Sequence, residues 1–378
     1  MFVSLVTGTR PQIIKTAPVL SALAEFGIEH EFIHTGQHYD YELAGAFIDG
    51  FELDSPMDLE VGSGDYSYQV YTIMQRLASH YKMNRPDLMI VPGDTTSALG
   101  AALVGFKMEI AVCHLESGLR RFDLSFQEEV NRRLIDHGAS ALFAPTKIAV
   151  DNLNAEQVQG KVYHIGDTMY DVLKNRLPKY TDVSYREQVF SKIGTREKEY
   201  AVLTMHRRES VDRANTLANI VTGLNSVDFP IIFPVHPRAR KRLEEFSLKL
   251  DDSHIHICDP LSYDEFMSLV AASKLVISDS GGIQKECYLL NIPIVSLQER
   301  TEWVETLEAG ASTLTALEPE RIVHNCNRMY GLKLSNDPSV YGDGNAAKRI
   351  PPIIESGEIA IPTDRRELSY VDYYNLGG

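Results

Sequence analysis

The sequence predicts an α/β protein built as two Rossmann-like, doubly wound domains that face each other across a cleft. Short apolar runs alternate with helix-length amphipathic segments through the 378 residues, the pattern of βαβ units and parallel sheets. Most of the runs lack polar–apolar alternation, as strands covered on both faces do. The length exceeds what one ordinary core organises, and the runs divide into two series of similar size.

The first series is FVSLVTG (2–8), HEFIHTG (30–36), DLMIVPG (87–93), EIAVCHL (109–115), SALFAPT (140–146) and KVYHIGD (161–167). The second is YAVLTMH (200–206), PIIFPVH (230–236), HIHICDP (254–260), KLVISDS (274–280), IPIVSLQ (292–298) and ASTLTAL (311–317). This places an N-terminal domain over 1–170 and a C-terminal domain over 171–343, with the boundary near Gly166 to Arg176. The polar stretch LPKYTDVSYREQ (177–188) is expected to belong to the hinge, and the tail after Ser356 has no strong periodicity.

Composition narrows the partners. A formal net charge of −15 argues against nucleic acid, but not against a small anion held by local arginines and helix starts. MFVSLVTGTRPQ does not read as a secretory leader, because its apolar run breaks at Gly8. No stretch of 18 or more apolar residues predicts a membrane span. The four cysteines are far apart with no CxxC pair, and no HExxH spacing occurs, so neither a disulfide framework nor a metal site is expected. A reducing cytoplasm is the expected location.

In open parallel sheets, ligands bind beyond the carboxyl ends of the strands. The residues there are rich in Gly, Arg, His and acids: Gly8 to Pro11, His34 to His38, Gly93 to Thr95, His114 to Arg120, His206 to Arg208, His236 to Arg238 and Ser280 to Gly282. SDSGGIQKE (278–286) follows a strand and opens a helix. Ser280 can cap it, and Gly281 and Gly282 let a phosphate approach the free N–H groups. Glu286 is placed to accept from a ribose diol, though a capped helix with a dipole-matched acid gives the same letters. In TGTRPQIIK (7–15), Arg10 and Lys15 point to the cleft or are plain surface cations. Asp94 either caps the next helix or joins a reaction site with Glu116 and Glu128; three acids at adjacent strand ends favour shared acid–base work. His206, beside Arg207 and Arg208, is the histidine best placed for a ligand. Phe266 can stack on a flat base or fill core.

The motifs GTRPQIIKTAP, HTGQHYD, GDTTSALGAAL, HLESGLRRFD, QEEVNR, LFAPT, HRRES, VHPRARKRL and DSGGIQKE occur in order and span the chain up to VYGDGNAAKRI. Together they resemble the non-hydrolysing UDP-N-acetylglucosamine 2-epimerases. The resemblance implies a glycosyltransferase B-like pair of domains, with a segment at 344–378 returning to the first, and a cytoplasmic homodimer. It implies that Arg10, Ser280, Gly281 and Gly282 hold the pyrophosphate with His206. Glu286 would bind ribose, and Phe266 would stack on uracil near the backbone of Leu261. Asp94, Glu116 and Glu128 would be the catalytic carboxylates, with Lys15 nearby, and neither metal nor other cofactor is required.

The implied activity is epimerisation at C2 of a UDP-2-acetamido sugar, most readily UDP-N-acetylglucosamine to UDP-N-acetylmannosamine. The C2 hydrogen is not activated by a carbonyl, so the route eliminates UDP to a glycal and adds it back with a proton on the opposite face. Gln12 stands where most relatives have Glu, and Gln127 where they have Pro. LQERTEWVE (297–305) replaces LRDTTERPE, so Trp303 and Gln298 stand where arginines usually do. These variants are similar to relatives that act on UDP-2,3-diacetamido-2,3-dideoxyglucuronate, which is therefore the alternative substrate. A glycosyltransferase of the same fold is a third reading, in which three converging acids would be excessive.

Overall fold

The computed structural model describes residues 1–36, 55–62, 64–195 and 199–360. The strands are β1 (Phe2–Thr7), β2 (Glu29–His34), β3 (Met57–Asp58), β4 (Leu88–Pro92), β5 (Ala111–Leu115), β6 (Ala141–Ala144) and β7 (Lys161–His164), then β8 (Ala201–Thr204), β9 (Ile231–Pro234), β10 (Ile255–Cys258), β11 (Leu275–Ser278), β12 (Ile294–Ser296) and β13 (Ser312–Leu314). Among the described residues they form a seven-stranded sheet, ordered β3-β2-β1-β4-β5-β6-β7, and a six-stranded sheet, ordered β10-β9-β8-β11-β12-β13. Every pairing is parallel. Each apolar run named from the sequence overlaps one of these strands, and all but 30–36, where β2 starts one residue earlier, contain it whole; β3, two residues at a sheet edge, is too short to leave a pattern.

The strands are apolar because both faces are covered. On one face of the first sheet, Val3, Leu5, Ile90, Cys113 and Phe143 pack with Ile13, Val19 and Leu23 of the helix Arg10–Glu25. On the other, Val6, Ile33, Met89, Val91 and Val112 meet Ile73, Leu77, Ala98 and Ala101. Consecutive residues such as Leu5 and Val6 thus belong to different cores, as the two-residue side-chain period of a strand dictates. The second sheet repeats this, with Leu203, Phe233 and Ile277 on one face and Val202, Ile232 and Val276 on the other.

The stretch 177–188 is helical. It lies within two helices, Thr168–Thr181 and Val183–Ile193, which meet at Asp182; that side chain caps the second by accepting from Tyr185 N at 2.7 Å. Its polarity is that of helix faces turned to solvent. The helix Thr168–Thr181 packs on both Arg10–Glu25 and Tyr263–Ala272. The chain after the second sheet comes back to the first: Ala346, Ala347, Ile350 and Ile354 join its core. Asp171 receives that segment, accepting from Ala346 N at 2.9 Å and Ala347 N at 2.7 Å.

In each sheet the strand order reverses beside the first strand of its series, between β1 and β4 and between β8 and β11. Diverging connections open a crevice at such points.

Candidate active site

At the first crevice, Gln12 fastens the ends of β1 and β4. Its Oε1 accepts from Gly8 N (2.8 Å) and Thr9 N (3.2 Å), and its Nε2 donates to Pro92 O (2.6 Å). A glutamine suits this place because it must both accept and donate. Just under a turn further along the helix, Lys15 is ion-paired with Glu116 Oε2. Gly93, at φ +64°, passes beneath that pair: a Cβ there would lie 3.4 Å from both Glu116 Oε2 and Lys15 Nζ. Glu116 itself holds φ +67°, a backbone state that non-glycine residues rarely adopt. Its amide and that of Ser117 both donate to Phe143 O, at 3.1 and 3.2 Å, which anchors the turn.

Asp94 lies at the end of β4 and is held from the helix Gln127–Gly138. Arg132 Nη1 is 2.5 Å from its Oδ2, and Asn131 Nδ2 donates to its backbone oxygen at 2.8 Å. Glu128 occupies the first turn of that helix. Its side chain opens to the cleft, yet burial and then the neighbouring Asp94 push its pKa up. Glu129 does more than complement the helix dipole. It is buried and accepts from Arg121 N (2.8 Å) and Phe122 N (3.3 Å), tying the preceding loop to the helix.

Arg120 ends the strand-end stretch that begins at His114, but its charge is spent beneath the loop. It is buried against Asp136 (2.7 Å) and Glu156 (2.6 Å). Asp136 also meets His114 Nδ1 at 2.6 Å, and His114 Nε2 lies 2.7 Å from Gly93 O. This network braces the loop from beneath.

At the second crevice, Asp279 joins two strand ends by accepting from His206 N (2.9 Å) and Arg207 N (2.8 Å). The His206 ring lies 5.6 Å from that of His236. Burial lowers its pKa, and Arg207, Arg10 and Arg238 lower it further against the pull of Asp279. The helix Gly281–Leu289 starts here. Ser280 takes the cap position, but its hydroxyl makes no cap bond, contrary to the capping role its place in the sequence allowed. Gly282 faces open space, and a Cβ on Gly281 would sit 2.2 Å from Glu302 Oε1. Glu286 is buried and accepts from the Tyr263 hydroxyl; burial raises its carboxyl to about 7. Leu261 is buried and Phe266 half-buried in the same core cluster as Tyr263 and Ile283.

The two crevices meet. Lys285 reaches from the second domain to Glu116 Oε1 (2.7 Å) and Asp167 Oδ2 (2.6 Å). Burial alone would raise the Glu116 pKa, but Lys15 and Lys285 bring it down to about 2. Arg207 lies in the field of Glu302, Asp279, Glu128 and Asp94, which hold its proton on. Glu302 in turn is held charged by Arg207, Arg132 and Arg121. Arg300 donates to Phe122 O at 3.1 Å, and Thr146 donates to Glu305.

The fold therefore gathers Asp94, Glu116, Glu128 and Lys15 on one wall, with His206, Ser280, Gly281, Gly282 and Glu286 on the other and Arg10 within the field of His206. Leu261 and Phe266 stand beside Glu286, at the Tyr263 end. His38 lies outside the described residues, as does the tail from 361 onward. Sequence reasoning left Arg132, Lys285 and Glu302 without roles. Their side chains act across chain separations of 38 (Arg132–Asp94) and 169 (Lys285–Glu116) residues, so no local spacing reveals them. Trp303 is buried with its ring 4.4 Å from Lys285 Nζ.

The chain matches the family described as UDP-N-acetylglucosamine 2-epimerase over residues 21–355. It is 37% identical over 367 residues to the UDP-N-acetylglucosamine 2-epimerase of Methanocaldococcus jannaschii, covering 95% of this chain and 100% of that protein. It is 33% identical to the UDP-2,3-diacetamido-2,3-dideoxy-D-glucuronate 2-epimerase of Pseudomonas aeruginosa, covering 93% of this chain and 98% of that one. The crystal structure of the Methanocaldococcus jannaschii enzyme in complex with UDP-GlcNAc and UDP superposes with a TM-score of 0.87 at 36% identity, over 94% of this chain and 100% of that one. That of the Neisseria meningitidis enzyme bound to UDP-GlcNAc gives a TM-score of 0.85 at 29% identity, over 94% of this chain and 100% of that one. The two-domain, glycosyltransferase B-like architecture is thus shared with these enzymes.

Proposed function

The chain belongs to the UDP-N-acetylglucosamine 2-epimerase family, and from that membership we propose that it epimerises UDP-N-acetylglucosamine and UDP-N-acetylmannosamine at C2, without a cofactor. The observation that carries the reading is a pair of carboxyls with opposite protonation bias in one cleft: Glu128 is pushed up while Glu116 is held down. Environments that drive two acids apart give them different work: Glu128 can hold and pass on a proton, while Glu116 stays charged.

The pyrophosphate sits at the start of the helix Gly281–Leu289, where the bare N–H groups and two glycines accept an anion. Arg10 and His206 flank it, and Ser280 donates its uncommitted hydroxyl. Glu286 takes the ribose diol, and Phe266 and the Leu261 backbone take the uracil. Elimination expels UDP as one of Asp94 and Glu128, close enough to repel each other, takes the C2 proton; as UDP adds back to C1, the other, protonated, delivers a solvent-exchangeable proton to the opposite face of C2. Glu116, kept charged between two lysines, stabilises the oxocarbenium-like C1. Closure of the two domains retains the glycal and keeps water out.

Incubation with UDP-N-acetylglucosamine in heavy water tests this directly. Deuterium is expected at C2 in both epimers with nothing else added. Free N-acetylmannosamine with UDP would mean a hydrolysing enzyme, and no exchange would end the epimerase reading. Asp94→Asn, Glu116→Gln and Glu128→Gln are each expected to lower kcat by at least roughly 10²-fold while UDP still binds by calorimetry. A variant that keeps full turnover removes its residue from the mechanism.

A second substrate reading has its own support. By the resemblance of LQERTEWVE to the family pattern, Trp303 and Gln298 stand where arginines usually do, and Trp303 is enclosed rather than lining the cleft. The relative from Pseudomonas aeruginosa carries the diacetamidoglucuronate name. Higher kcat/KM with UDP-2,3-diacetamido-2,3-dideoxyglucuronate would favour it. A homodimer in the cytoplasm belongs to the same proposal as a family expectation, and sedentation-independent mass measurement by light scattering checks the dimer.

A further inference from the structure

Lys285 lies just over one turn into the helix Gly281–Leu289, whose cap residue Ser280 makes no side-chain cap bond. It is 2% exposed. Its ammonium lies 2.7 Å from Glu116 Oε1, 2.6 Å from Asp167 Oδ2 and 4.4 Å from the Trp303 ring centroid. Burial pulls a lysine toward neutrality, but here the two carboxylates outweigh it and the charge is retained.

The partners come from separate parts of the fold. Glu116 follows β5, Asp167 caps the helix Thr168–Thr181, and Lys285 belongs to the second domain. Lys15, from the first helix, takes the other oxygen of Glu116. Each oxygen of that carboxylate therefore has its own ammonium, and its rotation is removed. Asp167 and Glu286 are the further charged groups in this cluster: Asp167 shares Lys285, and Glu286 feels Lys285, Asp167 and Lys15.

We propose that Lys285 is a positioning residue for the reaction, which clamps Glu116 and ties its placement to the docking of the nucleotide-binding helix against the first domain. The inference rests on the reading of Glu116 as a catalytic carboxylate. Docking of the helix that receives UDP then brings the cation that sets Glu116, so nucleotide binding and assembly of the acid site are one event. A lysine serving only as interdomain glue would be a poor choice, since desolvating three charges offsets much of their attraction.

The two roles differ in what the Lys285→Met variant does. As a positioning residue, its loss lowers kcat by roughly tenfold or more with little change in KM. The acid limb of kcat moves up by about one pH unit or more, because Glu116 stays buried with Lys15 alone to hold its charge. Activity then recovers in part at high pH. Lys285→Gln, which keeps a donor for one carboxylate, is the second variant should methionine prevent folding, and the same shift is expected. UDP binding and thermal melting verify the fold. An unmoved pH profile, or a loss confined to KM or Tm, overturns the proposal. Glu116→Gln is assayed alongside. If it retains turnover, the role of Glu116 fails whatever Lys285 does; if it is inactive and the Lys285 variants keep the parent profile, only the clamp fails.

Discussion

At the scale of single residues, the site works by giving identical side chains different surroundings. Glu116, Glu128 and Glu286 are all glutamates near one cleft. Two ammoniums hold the first down to about 2, while burial pushes the other two up, Glu286 to about 7. For Glu286 this has a measurable consequence. Below about pH 7 it carries a proton; above, it is a carboxylate free to accept, as its proposed role toward the ribose requires. KM for the UDP-sugar is therefore expected to fall as pH rises through about 7, and Glu286→Gln should show a higher KM without that pH step. A step that persists in the variant would belong to another group. The same contrast of surroundings separates Glu128 from Glu129, adjacent letters of which one faces the cleft and the other is consumed by backbone N–H groups.

At the scale of elements, the chemistry depends on short connections held in unusual backbone states. The turn after β5 carries Glu116 at φ +67° and Gly118 at φ +83° within three residues. Gly118 is irreplaceable on two counts: its φ disfavours any Cβ, and a Cβ would lie 2.3 Å from Ala149 O. Gly118→Ala is expected to cost at least about 1–3 kcal/mol, read as a lower urea midpoint, and to lower kcat because Glu116 shifts with the turn. A variant as stable as the parent would show that the turn is slack. At the helix Gly281–Leu289 the cap side chain accepts no N–H, so those donors are left for a ligand, whereas the side chains of Asp65 and Thr146 accept from N–H groups of their own helices.

At the scale of the whole molecule, two sheets are joined by one crossing helix and a returning tail segment, and charged groups sit at the joint. Burial raises Asp171 to about 6, against the pull of the two amides it receives from the returning segment. Its folded-state pKa is thus above the unfolded value of 3.8. The folded state holds that proton longer than the unfolded chain, so this group makes stability fall as pH rises from about 4 to about 6, with no further change above. The urea midpoint of Asp171→Asn should lack this slope relative to the parent. Parallel pH curves for the two would remove Asp171 as its source. Glu116 acts in the opposite sense: its lowered pKa adds stability that is lost as pH falls from about 4.5 toward about 2.

Parallel strands buried on both faces leave continuous apolar runs, so the twelve long runs, their division into two series and the site-bearing ends were all legible in the amino-acid order. Strand-end placement and the ordered motifs pointed to Asp94, Glu116, Glu128 and the glycines of Ser280–Gly282. The two-residue β3 and the helical nature of 177–188 were not legible, because a two-residue strand has no period and a polar helix surface reads like a linker. The sequence by itself determined which residues stand at the strand ends, since that follows from local hydrophobic pattern and turn chemistry. Only the tertiary structure decided which charges meet: that Arg120 turns under the loop to Asp136, that Arg132 takes Asp94, and that Lys285 crosses to Glu116. These pairs join residues 16, 38 and 169 positions apart, and no helical spacing rule reaches that far along the chain.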